Sequence, residues 1–205
     1  MSAPVVRADD AGVVERAAKA LLGGGLVVVP TETVYGLAAL ASDPDATRAL
    51  FDRKGRGADV PVAVLCADAE QAMALTQAAP PLAHDLAARH WPGPLTLVLP
   101  RRRGLGWVLG EPTDTIGLRC PDHDLIRALA ARVGPIATTS ANRHGLPTPA
   151  SAAEAADQLL GAVDLVVDGG ALTGTPSTVV DLTGDAPRVL RRGAVVIDAP
   201  GPEAA

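Results

Sequence analysis

Apolar residues in this chain fall into short runs separated by helical patterns, and the run from Leu26 to Val29 is the most informative. Its four residues, three of them β-branched, have the length and composition of a strand covered on both faces. Pro30 cannot continue a central ladder, so the chain leaves the sheet at Thr31. Thr31, Glu32, Thr33 and Tyr35 follow at once. Polar side chains at the carboxyl end of a strand are where open α/β proteins place ligands. A solvated turn accounts for the same residues.

Further strands are predicted at 61–66 (PVAVLC), 95–99, 115–119, 135–138, 164–167, 178–182, 189–190 and 195–197. Helical spacing lies between them. Val13, Val14, Ala17, Ala20 and Leu21 share one face of a helix capped by Asp9 or Asp10 and ended by Gly23 to Gly25. Asp43-Pro44 opens a helix through Leu50 and Phe51 that closes near Gly55. Asp68 with Gln71, and Ser151 with Glu154, are capping-box patterns, the second for a helix to Leu160. Two more helices are predicted over 80–90 and 124–133, the first stopped by Trp91-Pro92-Gly93-Pro94. The short apolar stretch after Leu37 is assigned no element, and residues 101–112 read as a loop. The alternation predicts a three-layer α/β fold: a twisted, mixed, largely buried sheet with helices on both sides. One domain spans 1–205, with its core at about 10–197 and a loose tail over 200–205.

Composition narrows the function. A chain of 205 residues, 48% apolar and 20% charged, is an ordinary globular protein long enough to bury a core. The N-terminus lacks the basic-then-apolar pattern of an export signal and no apolar run is long enough to span a bilayer, so the expected location is the cytoplasm with no membrane partner. The net charge of -5 gives no overall attraction for nucleic acid, and an anion must be held by a local cluster. Cys66 and Cys120 lie in strand-like runs and read as reduced core residues. Only two of the eighteen basic residues are lysines, Lys19 and Lys54.

The remaining polar residues gather at strand ends. Lys54 and Arg56 precede the strand at 61–66, Arg119 ends TIGLR, and Thr138, Thr139, Ser140 and Asn142 follow PIA. Ser177 and Thr178 precede VVDL, and Arg191 and Arg192 follow RVL. Each alone has an ordinary explanation as a helix-end cation, a turn or a solvated edge. Together they describe a pocket for a phosphorylated ligand. The glycines at 23–25 lack the lysine and hydroxyl of a phosphate loop, and the spacing in GLGWVLG at 104–110 misses the dinucleotide fingerprint. Arginine forks are suited to gripping phosphate or carboxylate instead. Ser140 is in no nucleophile elbow, and His84, His90, His123 and His144 lack metal-ligand spacing and read as surface or loop residues. Glu32 either orients a neighbour or substrate amine or solvates a turn.

PTETVYGL at 30–37, KGR at 54–56, PGPLT at 92–96, GLRCP at 117–121, TTSAN at 138–142, PSTVVDL at 176–182 and LRRG at 190–193 resemble, in order, the motif series of the threonylcarbamoyl-AMP synthases, the YrdC-like domain family. The resemblance runs from about residue 10 to residue 197. It implies a YrdC-like fold with a concave, positively charged cavity, and an enzyme that condenses L-threonine, bicarbonate and ATP into threonylcarbamoyl-AMP with release of pyrophosphate. The product serves N6-threonylcarbamoyladenosine modification of tRNA through a downstream transfer complex. By motif, Thr33, Arg119, Thr138 and Ser177 would bind threonine. Lys54, Arg56, Ser140 and Asn142 would act at the ATP phosphates and carry catalysis, with Thr148, Arg191 and, more weakly, Thr115 on the nucleotide. ATP is then a substrate carrying Mg2+ on its phosphates, with no metal held by the protein and no tightly bound prosthetic group.

Two departures stand out. Some longer members carry an asparagine and a histidine where this chain has Val60 and Leu65, so those contacts are absent or made otherwise. Longer members also append a second domain, and the chain resembles the short form. Two rival readings are a non-catalytic RNA-binding module, with weak RNA binding at the cavity, and carbamoyl transfer through carbamoyl-adenylate. RNA retention in a salt series would reveal the first. Dependence on carbamoyl phosphate would reveal the second.

Overall fold

The computed structural model describes residues 3–55, 57 and 60–199. In chain order the elements are β1 (Val5–Arg7), α1 (Val13–Leu22), β2 (Val27–Val29), β3 (Gly36–Leu40), α2 (Pro44–Lys54), β4 (Ala63–Leu65), α3 (Ala69–Met73) and α4 (Pro81–His90). They continue with β5 (Leu95–Pro100), β6 (Thr115–Arg119), α5 (Asp124–Val133), β7 (Ile136–Ser140), α6 (Ala152–Gln158), β8 (Leu165–Asp168), β9 (Thr178–Asp181) and β10 (Arg188–Arg191). Ten strands make one mixed sheet in the order β1-β8-β2-β3-β7-β4-β6-β5-β9-β10. Four neighbouring pairs are parallel and five antiparallel.

Alternation along β2 separates two apolar cores. Val27 and Val29 join α1, α5, Ala38, Ile136, Leu165 and Val167 on one face. Val28 joins Leu37, Ala39, Val64, Leu97, Leu118 and Val166 on the other, which α2, α4 and α6 cover. Burial of each such valine or leucine contributes about 1.5–3 kcal/mol relative to exposure. The three layers are therefore present, but the first face is only partly roofed. Its helices α1 and α5 pack on each other and on β2, β3, β4 and β8. Toward β6, β5 and β9 that face lies open.

Caps explain where the helices begin. Asp43 Oδ1 accepts from the amides of Asp45 and Ala46, with Pro44 in the first turn. Asp68 accepts from the Gln71 amide and Ser151 from that of Glu154, while the Gln71 and Glu154 side chains reach one residue past the cap, to the amides of Ala67 and Ala150. Asp9 and Asp10 do not cap α1, whose N-cap is Gly12 in the left-handed region. Asp10 instead accepts from the Arg7 amide and Asp9 pairs with the Arg7 side chain.

Other expectations also change. Strands β1 and β3 were not anticipated: β1 is a three-residue edge, and the alanines of β3 signal no strand until β2 and β7 flank it. Residues 195–197 form no strand, because Thr178 Oγ1 accepts from the amides of Gly193 and Val195 and donates to the Val195 carbonyl, folding the segment back. The expected tail at 200–205 lies outside the described residues.

Candidate functional site

The open part of the α1/α5 face is the floor of a cavity of about 350 Å³. Register places its residues in a row. Ser140 pairs with Gly36, Thr138 with Ala63, Ala63 with Gly117, Gly117 with Val98, and Thr96 with Val179. Paired residues share a face, so the small side chains at Gly36, Ala63 and Gly117 hollow out the sheet beneath a ring of hydroxyls. The site thus spans a sheet face, and most of its polar residues reach it from strand ends, Arg119, Ser140 and Arg191 each closing its strand. A Cβ at Gly36 would lie 2.7 Å from Thr138 Cγ2, which is why glycine stands there.

Thr33, Thr115, Arg119, Thr138, Ser140, Asn142, Thr148, Ser177 and Arg191 all line this cavity. Arg191 reaches it through a β-bulge. Val189 faces Val180, but the register then slips so that Arg191, not Leu190, pairs with Val179 on the cavity face. Its Nε donates to the Ser177 carbonyl at 3.0 Å and its Nη2 to Ser177 Oγ at 2.9 Å. Ser177 Oγ lies 2.9 Å from Thr96 Oγ1.

The turn after β2 orders the opposite wall. Thr31 Oγ1 donates to the Val34 carbonyl at 2.7 Å and accepts from the amides of Thr33 and Val34. Its hydrogen and both lone pairs are therefore committed, and the Thr33 hydroxyl packs against it at 3.0 Å. Thr33 Oγ1 in turn accepts from Arg119 Nη2 at 3.2 Å. Tyr35 points away from the site: fully buried, it donates to the Gly170 carbonyl at 2.6 Å and accepts from the Gly169 amide at 3.0 Å. Gly174 closes against the same turn, since a Cβ there would sit 2.2 Å from the Thr33 carbonyl oxygen.

Lys54 is not among the residues lining the cavity. Only 2% exposed, it sends its ammonium to the carbonyl oxygens of Ser140 (2.7 Å) and Asn142 (2.7 Å), to Ser140 Oγ (3.1 Å) and to Asn142 Oδ1 (2.9 Å). Three N–H groups serve four oxygens, so the lysine fastens the 140–142 turn from behind. The Asn142 amide nitrogen donates onward to the Leu146 carbonyl at 2.6 Å. Arg56 lies outside the described residues.

The sequence patterns mark Thr31 as a strand-end candidate but give no site role to Thr96, Gly36 and Gly117, and all four line the cavity. A glycine inside a strand pattern is the signal that marks the last two. Val60 and Leu65 line it too, so both apolar replacements fall inside the site. Among the described residues, the charged side chains that line it are Arg119 and Arg191. Among the described residues no group of three His, Cys, Asp or Glu side chains could hold a metal ion. The two cysteines are buried and free, and burial pushes the Cys66 thiol well above its ordinary range. His84 and His144 are exposed, as expected, whereas His123 has a sealed Nδ1 and its pKa is lowered by burial. No helix of the described residues is long and apolar enough to cross a membrane.

The family model described as "Telomere recombination", that of the Sua5, YciO and YrdC proteins, matches residues 19–193. A threonylcarbamoyl-AMP synthase of Pyrococcus abyssi is 42% identical over 177 residues, covering 85% of this chain and 52% of that protein. A putative threonylcarbamoyl-AMP synthase of Mycobacterium tuberculosis is 44% identical over 177 residues, covering 86% of this chain and 82% of the relative. The crystal structure of P. abyssi Sua5 complexed with L-threonine superposes with a TM-score of 0.87 at 40% identity, over 94% of this chain and 58% of that one. The chain spans about half the length of the P. abyssi relative.

Proposed function

The chain belongs to the Sua5/YciO/YrdC family, and on that premise we propose that its cavity makes threonylcarbamoyl-AMP from L-threonine, bicarbonate and ATP. The observation that carries the reading is the cavity's lining among the described residues: two guanidinium groups and a ring of hydroxyls between apolar walls. Such a surface suits an anionic ligand with an apolar part, and its volume falls in the usual range for small-molecule sites, roughly 300–1,000 Å³. The name of the P. abyssi relative and the threonine held by its structure support the choice of substrate.

In this reading Arg119, with Thr33, Thr138 and Ser177, receives the threonine carboxylate and hydroxyl. Arg191, Thr115 and Thr148 border the nucleotide, and the 140–142 turn, fastened by Lys54, presents Ser140 and Asn142 to the phosphates; Arg56 is assigned to the same phosphates by motif alone. Magnesium enters on the ATP phosphates. The threonine amine attacks bicarbonate carbon to form a carbamate and release water; a carbamate oxygen then attacks the α-phosphorus and pyrophosphate leaves. No protein nucleophile is required. The site contributes proximity and fixed positive charge, the main resources of phosphoryl and nucleotidyl transfer. The labile adenylate passes in the cytoplasm to a tRNA-modifying complex.

Pyrophosphate release from ATP, measured with L-threonine and bicarbonate omitted one at a time, tests the proposal. Release is expected only with both present. Release that persists without either one refutes it.

A further inference from the structure

Glu32 has no task in the mechanism above, yet it is tied to one of its buried cations, Arg119. Its Oε1 lies 2.7 Å from Arg119 Nη2 and accepts from the Asp122 amide at 3.0 Å. Its Oε2 is sealed from solvent and unpartnered, and so is the neighbouring His123 Nδ1. A buried ion pair is a weak source of stability, and an orphaned carboxylate oxygen makes it weaker. Folding alone supplies no reason for this carboxylate.

Counting hydrogens on Arg119 supplies one. A guanidinium has five N–H groups. Nε donates to the Gly93 carbonyl at 3.2 Å. Nη2 donates to Thr33 Oγ1 at 3.2 Å and lies 2.7 Å from Glu32 Oε1 in an ion pair, so two protein oxygens face it. Nη1 has no partner among the described residues and is not among the sealed polar atoms, while Arg119 lines the cavity. Resting on the reading that Arg119 receives the threonine carboxylate, we propose that Glu32 is a positioning residue: by occupying Nη2 it holds the guanidinium edge still and commits a substrate carboxylate to Nη1.

Without that anchor the side chain regains rotamer freedom and can offer its Nη1/Nη2 edge in competing orientations. A ligand carboxylate would then lose its fixed position relative to Ser177 and Thr138, and with it the placement of the amine.

The test compares Glu32→Ala with Glu32→Gln, whose amide oxygen can still accept from Nη2. Glu32→Ala is expected to raise the KM for L-threonine about tenfold or more, leaving kcat and the KM for ATP within about twofold. Glu32→Gln is expected to restore the threonine KM to within about threefold of the parent. Binding of L-threoninamide, which lacks the carboxylate, should be the same in all three proteins. An unchanged or lowered threonine KM in Glu32→Ala overturns the proposal. So does a parallel rise in both KM values with a fall in unfolding midpoint, a failure of Glu32→Gln to rescue, or an equal loss of threoninamide binding. If the parent protein itself binds no L-threonine, the functional reading has failed and this proposal falls with it.

Discussion

Replacing Lys54 by methionine separates fastening the 140–142 turn from holding phosphate. Methionine keeps an unbranched apolar stem and removes only the ammonium. Four oxygens at 2.7–3.1 Å then lose their donor: the Ser140 and Asn142 carbonyls, Ser140 Oγ and Asn142 Oδ1. At 2% exposure little water can replace it. Each buried acceptor left short costs about 1–3 kcal/mol, offset in part because an ammonium no longer has to be desolvated. These four oxygens belong to neutral dipoles, and losing their donor is expected to cost about 2–3 kcal/mol net. With a urea slope of roughly 2 kcal/mol/M, the unfolding midpoint should fall by about 1 M at unchanged slope. Pyrophosphate release should fall as well, since the turn that presents Ser140 and Asn142 is loosened. A variant as stable as the parent but inactive would refute the reasoning, because the ammonium would then contribute to the ligand and nothing to the turn.

Three further outcomes follow from the same geometry. Gly174→Ala puts a Cβ 2.2 Å from the Thr33 carbonyl oxygen, with backbone on both sides of the clash. It should cost about 1–3 kcal/mol and weaken L-threonine binding more than ATP binding, which titration of each ligand would measure. Tyr35→Phe deletes the hydroxyl that bridges Gly169 and Gly170 and should lower stability in urea by about 1–2 kcal/mol. For His123, burial lowers the pKa and Arg127 adds to this, while Glu32, Asp124 and Asp122 oppose. The unfolded chain therefore takes up the proton first: the stability this neutral imidazole contributes is complete above about pH 6.5 and is lost as pH falls through the lower folded value. His123→Gln should flatten that limb. Parallel midpoints for parent and variant between pH 7 and pH 5 would remove His123 as its cause.

Much of the fold was readable locally because its signals are local. Val27 to Val29, the Asp43-Pro44 cap and the two capping boxes all appear where the patterns placed them. Strand β3 was not readable, because alanine and glycine have low strand propensity and become strand only between β2 and β7. The failed strand at 195–197 has the opposite cause: a strand-like sequence is captured by one buried threonine, Thr178.

The candidate site divides in the same way. Residue identities singled out Thr33, Arg119, Thr138, Ser140, Asn142, Ser177 and Arg191, because hydroxyls and arginines beside apolar strands are legible as chemistry, and the motif resemblance added Thr115 and Thr148; all of them line one cavity. Tertiary structure decided the rest. Pairing register turned scattered polar residues into one row on an unroofed sheet face, and a single slip in β10 aimed Arg191 into it. Long-range hydrogen bonds set Lys54 behind its turn and Glu32 on Arg119, contacts spanning 86 to 88 residues in the first case. Sequence by itself determined which chemical groups this protein has and which strands and helices carry most of them. Which groups face a ligand, and which hold those that do, depended on contacts between distant segments that no local pattern encodes.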